Sequence, residues 1–223
     1  MLTFLDLEYS ELCPGGVTYD EELPEIARTI ARLEFLRMPV LTENACASVN
    51  AAIGPALWYW APNSCRFSQY MTANSLPHLE SLEFPEVPIF SPEPSPDRTR
   101  VITAFIYKLA SLQPSLRRVV LSCSRLESET TFVALLAAFP SIQELDLSLC
   151  DPITDITLAA LQEHPPLHCL SLEMLPKVTA PAITSFLRAR GSKLSYLSAN
   201  WLGGAPFEAL ASYAPVIEQI VIS

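Results

Sequence analysis

One short phrase, L-x-x-L-x-L, recurs along this chain and constrains its fold more than any other feature. Over the C-terminal half its first apolar position returns after 26, 25, 27 and 23 residues, at Leu116, Ile142, Leu167, Leu194 and Ile217. A short strand and helix repeated at such spacing cannot bury its apolar side chains alone and must stack on its neighbours. The spacing therefore predicts an α/β solenoid.

Four further copies of the phrase precede this series at less even spacing. They are Leu2-x-x-Leu5-x-Leu7, Ile30-x-x-Leu33-x-Phe35, Ile53-x-x-Ala56-x-Trp58 and Leu79-x-x-Leu82-x-Phe84. The third copy is degenerate, so residues 40–77 are predicted to be irregular. Residues 85–97 contain five prolines, which remove backbone donors and predict a surface insertion loop. Residues 1–223 are otherwise predicted to form one repeat domain.

The repeat that begins at Ile142 shows how one unit works. Alternation turns Leu145 and Leu147 inward from a short strand, while Glu144, Asp146 and Ser148 point to the other face. After a turn, Thr154 is suited to cap a helix whose inner stripe contains Leu158 and Leu161, and the prolines that follow His164 end that helix.

This repeat resembles the cysteine-containing leucine-rich repeat of F-box/LRR proteins. The residues that carry the resemblance are Leu145-x-Leu147-x-x-Cys150-x-x-Ile153-Thr154-Asp155-x-x-Leu158-x-x-Leu161. A looser copy, Leu170-x-Leu172-x-x-Leu175-x-x-Val178-Thr179, has leucine in place of the cysteine. The resemblance implies a horseshoe with parallel strands on the concave face and helices on the convex face.

The same resemblance implies a substrate receptor, in which the repeats hold a target protein and an F-box recruits a ubiquitin ligase through a Skp-type adaptor. Here a repeat begins at Leu2 and no F-box is present, so the adaptor is expected only for a longer product. The alternative is a stand-alone interaction scaffold unconnected with ubiquitylation. Strand-like phrases lie at both ends of the sequence, and such uncovered apolar edges predict instability or self-association.

The outward strand positions predict a partner surface. Stacked in columns on the concave face, they are acidic on balance and would suit a protein segment rich in Lys or Arg. The middle column is predicted to run from Asp6 and Glu34 to Glu83 and Asp146. The complete candidate set is Asp6, Glu8, Glu34, Glu83, Glu144, Asp146, Glu173, Tyr196 and Asn200, with Tyr196 as an apolar anchor beside Trp201. The alternative is a solvated sheet face without a partner.

Composition argues against several other functions. The formal charge of −10 disfavours nucleic acid and anionic membranes, which bind through clustered Lys and Arg, and no apolar run reaches the ~18 residues that span a bilayer. The six cysteines form no C-x-x-C pair, and they are predicted to be reduced core thiols of an intracellular protein, cytoplasmic or nuclear.

No pattern of catalysis or cofactor binding is found. The sequence contains neither a G-x-S-x-G elbow nor a G-x-x-x-x-G-K-S/T loop. His164 and His168 have the spacing of a helical metal pair, but Pro165 and Pro166 between them break any such helix. The chain is therefore expected to be no enzyme and to need neither cofactor nor metal.

Overall fold

The computed structural model describes residues 4–6, 34–37, 57–61, 78–83, 104, 107–111, 115–122, 128–200 and 203–222, and gives only the backbone at 4–6, 35–37 and 61. The chain falls into two compact units, Met1–Pro85 with Arg100–Leu116, and Glu86–Thr99 with Arg117–Ser223. Within the described ranges, no helix is long and apolar enough to cross a bilayer.

The first unit contains four short parallel strands. They are β1 (Phe4–Asp6), β2 (Phe35–Arg37), β3 (Tyr59–Ala61) and β4 (Ser81–Glu83). Each pairs with the next along the chain, and residues 107–111 of this unit are helical. Its described core contains Leu57, Trp60, Leu79 and Leu82, which are all buried.

The register of this unit corrects two of the predicted repeat copies. Leu5 pairs with Leu36, and Leu36 pairs with Trp60, so the second and third strands lie later than the phrases at Ile30 and Ile53 placed them. Ile30, Leu33 and Leu36 are spaced by three residues, so the phrase can slide by one step without losing an apolar position. Pairing with β1 selects the later alignment.

The second unit alternates strands and helices. Its strands are β5 (Arg118–Val120), β6 (Glu144–Asp146), β7 (Cys169–Leu172), β8 (Tyr196–Ala199) and β9 (Gln219–Ile222). Between them lie α1 (Glu129–Ala138), α2 (Asp155–Glu163), α3 (Ala180–Arg190), a 3₁₀ turn (Gly191–Lys193) and α4 (Ala205–Tyr213). Each strand pairs in parallel with the next, and each helix contacts the next.

The strands of this unit start in a repeated way. From β6 to β9, two consecutive backbone N–H groups before or at the start of the strand donate to one carbonyl of the preceding repeat. The accepting carbonyls belong to Arg117, Gln143, His168 and Ser195, with N···O distances of 2.7–3.1 Å. The accepting residues are 26, 25 and 27 residues apart. These are the steps of the repeated phrase, so each copy of the phrase forms one strand that pairs with the strand of the preceding copy.

The inward strand positions form the core of this unit. Val119, Leu145, Leu170 and Leu197 occupy one register position and are all buried, and Leu121, Leu147 and Leu172 are buried beside them. Leu158 and Leu161 of α2 are buried as predicted. Each side chain buried in this way contributes roughly 1.5–3 kcal/mol relative to an exposed one.

The helix boundaries follow local chemistry. Thr154 caps α2 by accepting from the N–H of Ile156 at 3.1 Å, and Thr179 caps α3 by accepting from that of Ala182. His164 is the C-cap of α2, so the prolines end this helix as predicted. The structure thus shows an α/β fold with parallel strands joined by helices in the repeat that the sequence predicts.

Candidate functional site

The outward face of the second unit is the side of its sheet opposite the buried leucines. Strand pairing arranges its side chains in three rows that run across the strands. The first row contains Arg118, Glu144, Cys169, Tyr196 and Gln219, and the central row contains Val120, Asp146, Ser171, Ser198 and Val221. The exit row, where the strands end, contains Ser148, Glu173 and Asn200.

An open groove of about 310 Å³ lies on this face. It crosses β5 to β8 and is lined mainly by the first and central rows. Glu144, Asp146 and Tyr196 from the predicted set line it, and Tyr196 is half-buried there. Strand pairing thus brings three of the predicted residues together in one groove, although Glu144 and Tyr196 are 52 positions apart in the sequence.

Charge in the groove is unevenly distributed. Arg118 Nε lies 3.5 Å from Glu144 Oε2, and both side chains are about half exposed. Asp146 Oδ1 accepts from the backbone N–H of Ser148 at 2.9 Å, which fixes this carboxylate at the end of its strand. Two carboxylates and one guanidinium thus line the described groove. The central row, to which Asp146 belongs, contains no Lys or Arg, so Asp146 can attract the cationic side chain of a partner.

Cys169 occupies the middle of the first row. It was not identified from the sequence as a residue of the outward face. Its thiol is free and half-buried, in contrast to the expected core position, whereas Cys150 is fully buried as expected. Burial raises the pKa of the Cys169 thiol and the charge of Glu144 raises it further, against smaller opposing effects of Ser195 and Arg118. At neutral pH the groove therefore presents a neutral thiol.

Side-chain hydrogen bonds join each member of the exit row to a residue of a neighbouring repeat. Ser148 Oγ lies 2.7 Å from Ser171 Oγ, and the hydroxyl of Ser198 donates to Glu173 Oε1. Asn200 Oδ1 accepts from the N–H of Met174 at 2.5 Å, and its amide nitrogen lies 3.4 Å from the Met174 sulfur. Glu173 and Asn200 thus lie beside the groove, where they order the ends of the strands.

The candidate residues of the first unit have mixed outcomes. Glu83 is half-buried and accepts from the Tyr59 hydroxyl at 2.6 Å. Glu34 is exposed but precedes β2, and Arg37 pairs with Asp6 at the column position assigned to Glu34. The placement of Glu34 in the middle column was therefore wrong, because the predicted register was displaced by three residues. The side chain of Asp6 lies outside what is described, as do Glu8, Trp201 and the insertion loop at 85–97.

His164 occupies a structural position. The buried ring of His164 has Nδ1 2.8 Å from the Pro165 carbonyl and Nε2 3.2 Å from the carbonyl of Phe139 at the C-cap of α1, while His168 is exposed. Within the described part of the chain, no three His, Cys, Asp or Glu residues cluster in a way that could hold a metal ion.

Comparison with known proteins gives a distant structural likeness. No family model matches the chain, and no curated protein matches it. Among solved structures, the chain is similar to one in the crystal structure of the yeast Rad7 and Elc1 complex, with 14% sequence identity and a TM-score of 0.41. The match covers 90% of this chain and 69% of that chain.

Proposed function

We propose that this chain is a non-catalytic protein-binding scaffold, a leucine-rich-repeat solenoid whose outward sheet face is the concave binding surface. The observation that supports it is the groove across β5 to β8, lined by Glu144, Asp146 and Tyr196. Solenoid proteins bind through such extended faces because each repeat adds one set of outward side chains.

The partner we propose is a protein segment with Lys or Arg residues. Among the described positions of the three rows, Glu144, Asp146 and Glu173 are acidic and Arg118, which lies beside Glu144, is the cation. An extended segment would place its cations near Asp146 and Glu173, since the positive charge of Arg118 is already balanced. Charge complementarity of this kind steers association and rejects acidic segments.

The wider proposal is that the repeats act as the substrate-recognition region of an F-box/LRR ubiquitin-ligase receptor inside the cell. It is supported by the resemblance around Cys150 and by the observed repeat geometry, in which Thr154 and Thr179 cap equivalent helices. Co-purification of a Skp-type adaptor with the product of the longest native transcript tests it. Absence of the adaptor would favour a stand-alone scaffold.

Removal of charge from the face tests the binding proposal. Twelve-residue peptides selected from a random phage library on the immobilised 223-residue chain serve as the probe. The double variant D146N/E173Q keeps hydrogen-bond acceptors at both positions, so the turn of Ser148 and the Ser198 contact can persist. We expect the selected peptides to be basic and to bind this variant about tenfold more weakly, in titrations followed by fluorescence anisotropy.

The matched control is Glu163→Gln, which removes one exposed carboxylate from the end of α2, away from the sheet face. It should leave peptide affinity unchanged. Selected peptides without a basic bias, or equal binding to the wild type and D146N/E173Q, would contradict the proposed acidic surface.

A further inference from the structure

Two large apolar side chains are exposed at equivalent places of neighbouring repeats. Leu149 follows Ser148 and Met174 follows Glu173, and their side chains are 47% and 56% exposed. The Leu149 N–H donates to the Glu173 carbonyl at 2.9 Å, so the two turns lie on adjacent strands roughly 5 Å apart. We call this pair the exit edge.

Both residues adopt a backbone conformation that disfavours their own side chains. Their φ angles are +60° and +54°, in the left-handed region where a bulky residue is an outlier. The turn itself requires this geometry, since the N–H of Cys150 then closes onto the Leu147 carbonyl at 3.3 Å. Glycine or asparagine would satisfy the same turn with less strain. Leucine and methionine thus add exposed apolar surface and no benefit to the turn.

Met174 is held in place at this edge. Asn200 accepts from its N–H and has its amide nitrogen close to the sulfur, as described above. A side chain fixed in this way loses little conformational entropy when a partner contacts it, and methionine packs adaptably against varied apolar groups. The exit edge is therefore a preorganised apolar contact.

Carboxylates adjoin the exit edge. Glu173 immediately precedes Met174, and Asp146 lies on the same strand end as Ser148 and Leu149. The one cation in the described rows, Arg118, lies on β5 beside Glu144. An occupant of this edge would therefore meet apolar surface bordered by negative charge.

We propose that the exit edge binds an amphipathic protein segment, in which an aliphatic or aromatic side chain contacts Leu149 and Met174 while a neighbouring Lys or Arg contacts Asp146 or Glu173. This inference rests on the proposed binding function and adds the requirement for an apolar anchor. Apolar contact supplies affinity that paired surface charges by themselves do not.

The double variant L149N/M174N tests the exit edge. Asparagine tolerates the left-handed conformation, so this variant should melt at the wild-type temperature or above while losing the apolar contact. We expect the peptides selected on the wild-type chain to contain both an apolar and a basic residue, and to bind L149N/M174N at least about tenfold more weakly. The exchange L149M/M174L should retain affinity.

Ile156→Ser is the matched control, because Ile156 is also an exposed large apolar side chain but lies on α2. It should leave binding unchanged. Purely basic peptides that bind L149N/M174N as tightly as the wild type, but bind D146N/E173Q weakly, would overturn this inference and leave the proposed function intact. Peptides insensitive to both double variants, or the absence of any selected peptide, would overturn both.

Discussion

Cys150 shows how a single residue joins two repeats. Its side chain is fully buried at the turn after β6, and its sulfur lies 3.0 Å from the carbonyl oxygen of Leu121, to which the thiol donates. The equivalent residue of the next repeat is Leu175, which is also buried. The position therefore requires apolar volume, and the thiol adds a hydrogen bond to the neighbouring repeat that leucine cannot make.

Replacement of Cys150 by alanine should lower the free energy of unfolding by about 1–2 kcal/mol, because it removes buried volume and leaves the Leu121 carbonyl without the thiol. Urea denaturation followed by circular dichroism measures this loss. The control, Cys169→Ala, removes a half-buried thiol from the groove and should change stability by less than about 0.5 kcal/mol. Equal effects of the two substitutions would contradict the role assigned to Cys150.

At the scale of elements, the helices are linked through their N-termini. Glu129 in the first turn of α1 accepts from the N–H and hydroxyl groups of Thr154 and Thr157 at the start of α2, over 2.7–3.0 Å. Asp155 in the first turn of α2 accepts in the same way from Thr179, the N-cap of α3. An acidic residue at the start of one helix thus accepts hydrogen bonds from N–H and hydroxyl groups at the start of the next helix, where the backbone donors have no partner within the helix.

The linkage ends at α3. Ala180 takes the place in α3 that Glu129 and Asp155 take in α1 and α2, and α4 begins after Gly204 without a side-chain cap. Gly204 has a φ of +61°, which glycine tolerates without strain. The start of α4 therefore lacks the side-chain hydrogen bonds that hold the starts of α2 and α3.

The Glu129 carboxylate should make stability depend on pH. Burial by itself would raise its pKa, but the hydrogen bonds from Thr157 and Thr154 outweigh burial and hold the pKa below its ordinary value. A lowered pKa means that the folded state favours the ionised form. The stabilisation is therefore complete above the ordinary pKa of glutamate and is lost as pH falls through the lowered value.

Glu129→Gln should accordingly cost about 1–2 kcal/mol at pH 7, where charge-assisted hydrogen bonds to a partly exposed carboxylate are replaced by neutral ones. The difference from the wild type should shrink as pH falls below the ordinary pKa of glutamate and through the lowered pKa of Glu129, where the wild-type carboxylate becomes protonated. Chemical denaturation at pH 7 and at lower pH measures both. Asp151→Asn, an exposed carboxylate in the turn before α2, should show no comparable difference.

At the scale of the whole molecule, each repeat is stabilised by burial against its neighbours. Leu197 and Ala199 of β8 are buried, but their register partners on β9, Ile220 and Ile222, are 38% and 57% exposed. Exposed apolar side chains on a strand are a site for association with another chain. The sequence predicts self-association, and the exposed side chains of Ile220 and Ile222 are the surface through which it would occur.

We expect the 223-residue chain to self-associate through β9. Sedimentation velocity over a range of concentrations should show a rising weight-average mass for the wild type and a constant monomer mass for I220K/I222K, since these substitutions remove the exposed apolar side chains of the strand. Gln219→Lys adds one charge to the same strand without removing an isoleucine, and it should associate like the wild type. A wild-type chain that remains monomeric at all concentrations would contradict this prediction.

The sequence by itself determined the repeat and its local chemistry. Inward leucines such as Leu145 and Leu147, the cap at Thr154 and the end of α2 before the prolines all follow from alternation, capping and the restrictions of proline. These are interactions among residues a few positions apart, so a single repeat contains the information that specifies them.

Strand register and the composition of the outward face were decided by tertiary structure. Apolar residues at three-residue spacing permit several alignments, and pairing between strands that are distant in sequence selected the one that aligns Arg37 with Asp6. The same pairing brought Arg118 beside Glu144 and placed Leu149 next to the turn of Met174. The physical reason is that repeats without their neighbours bury little, so the energy that chooses a register arises only when they stack.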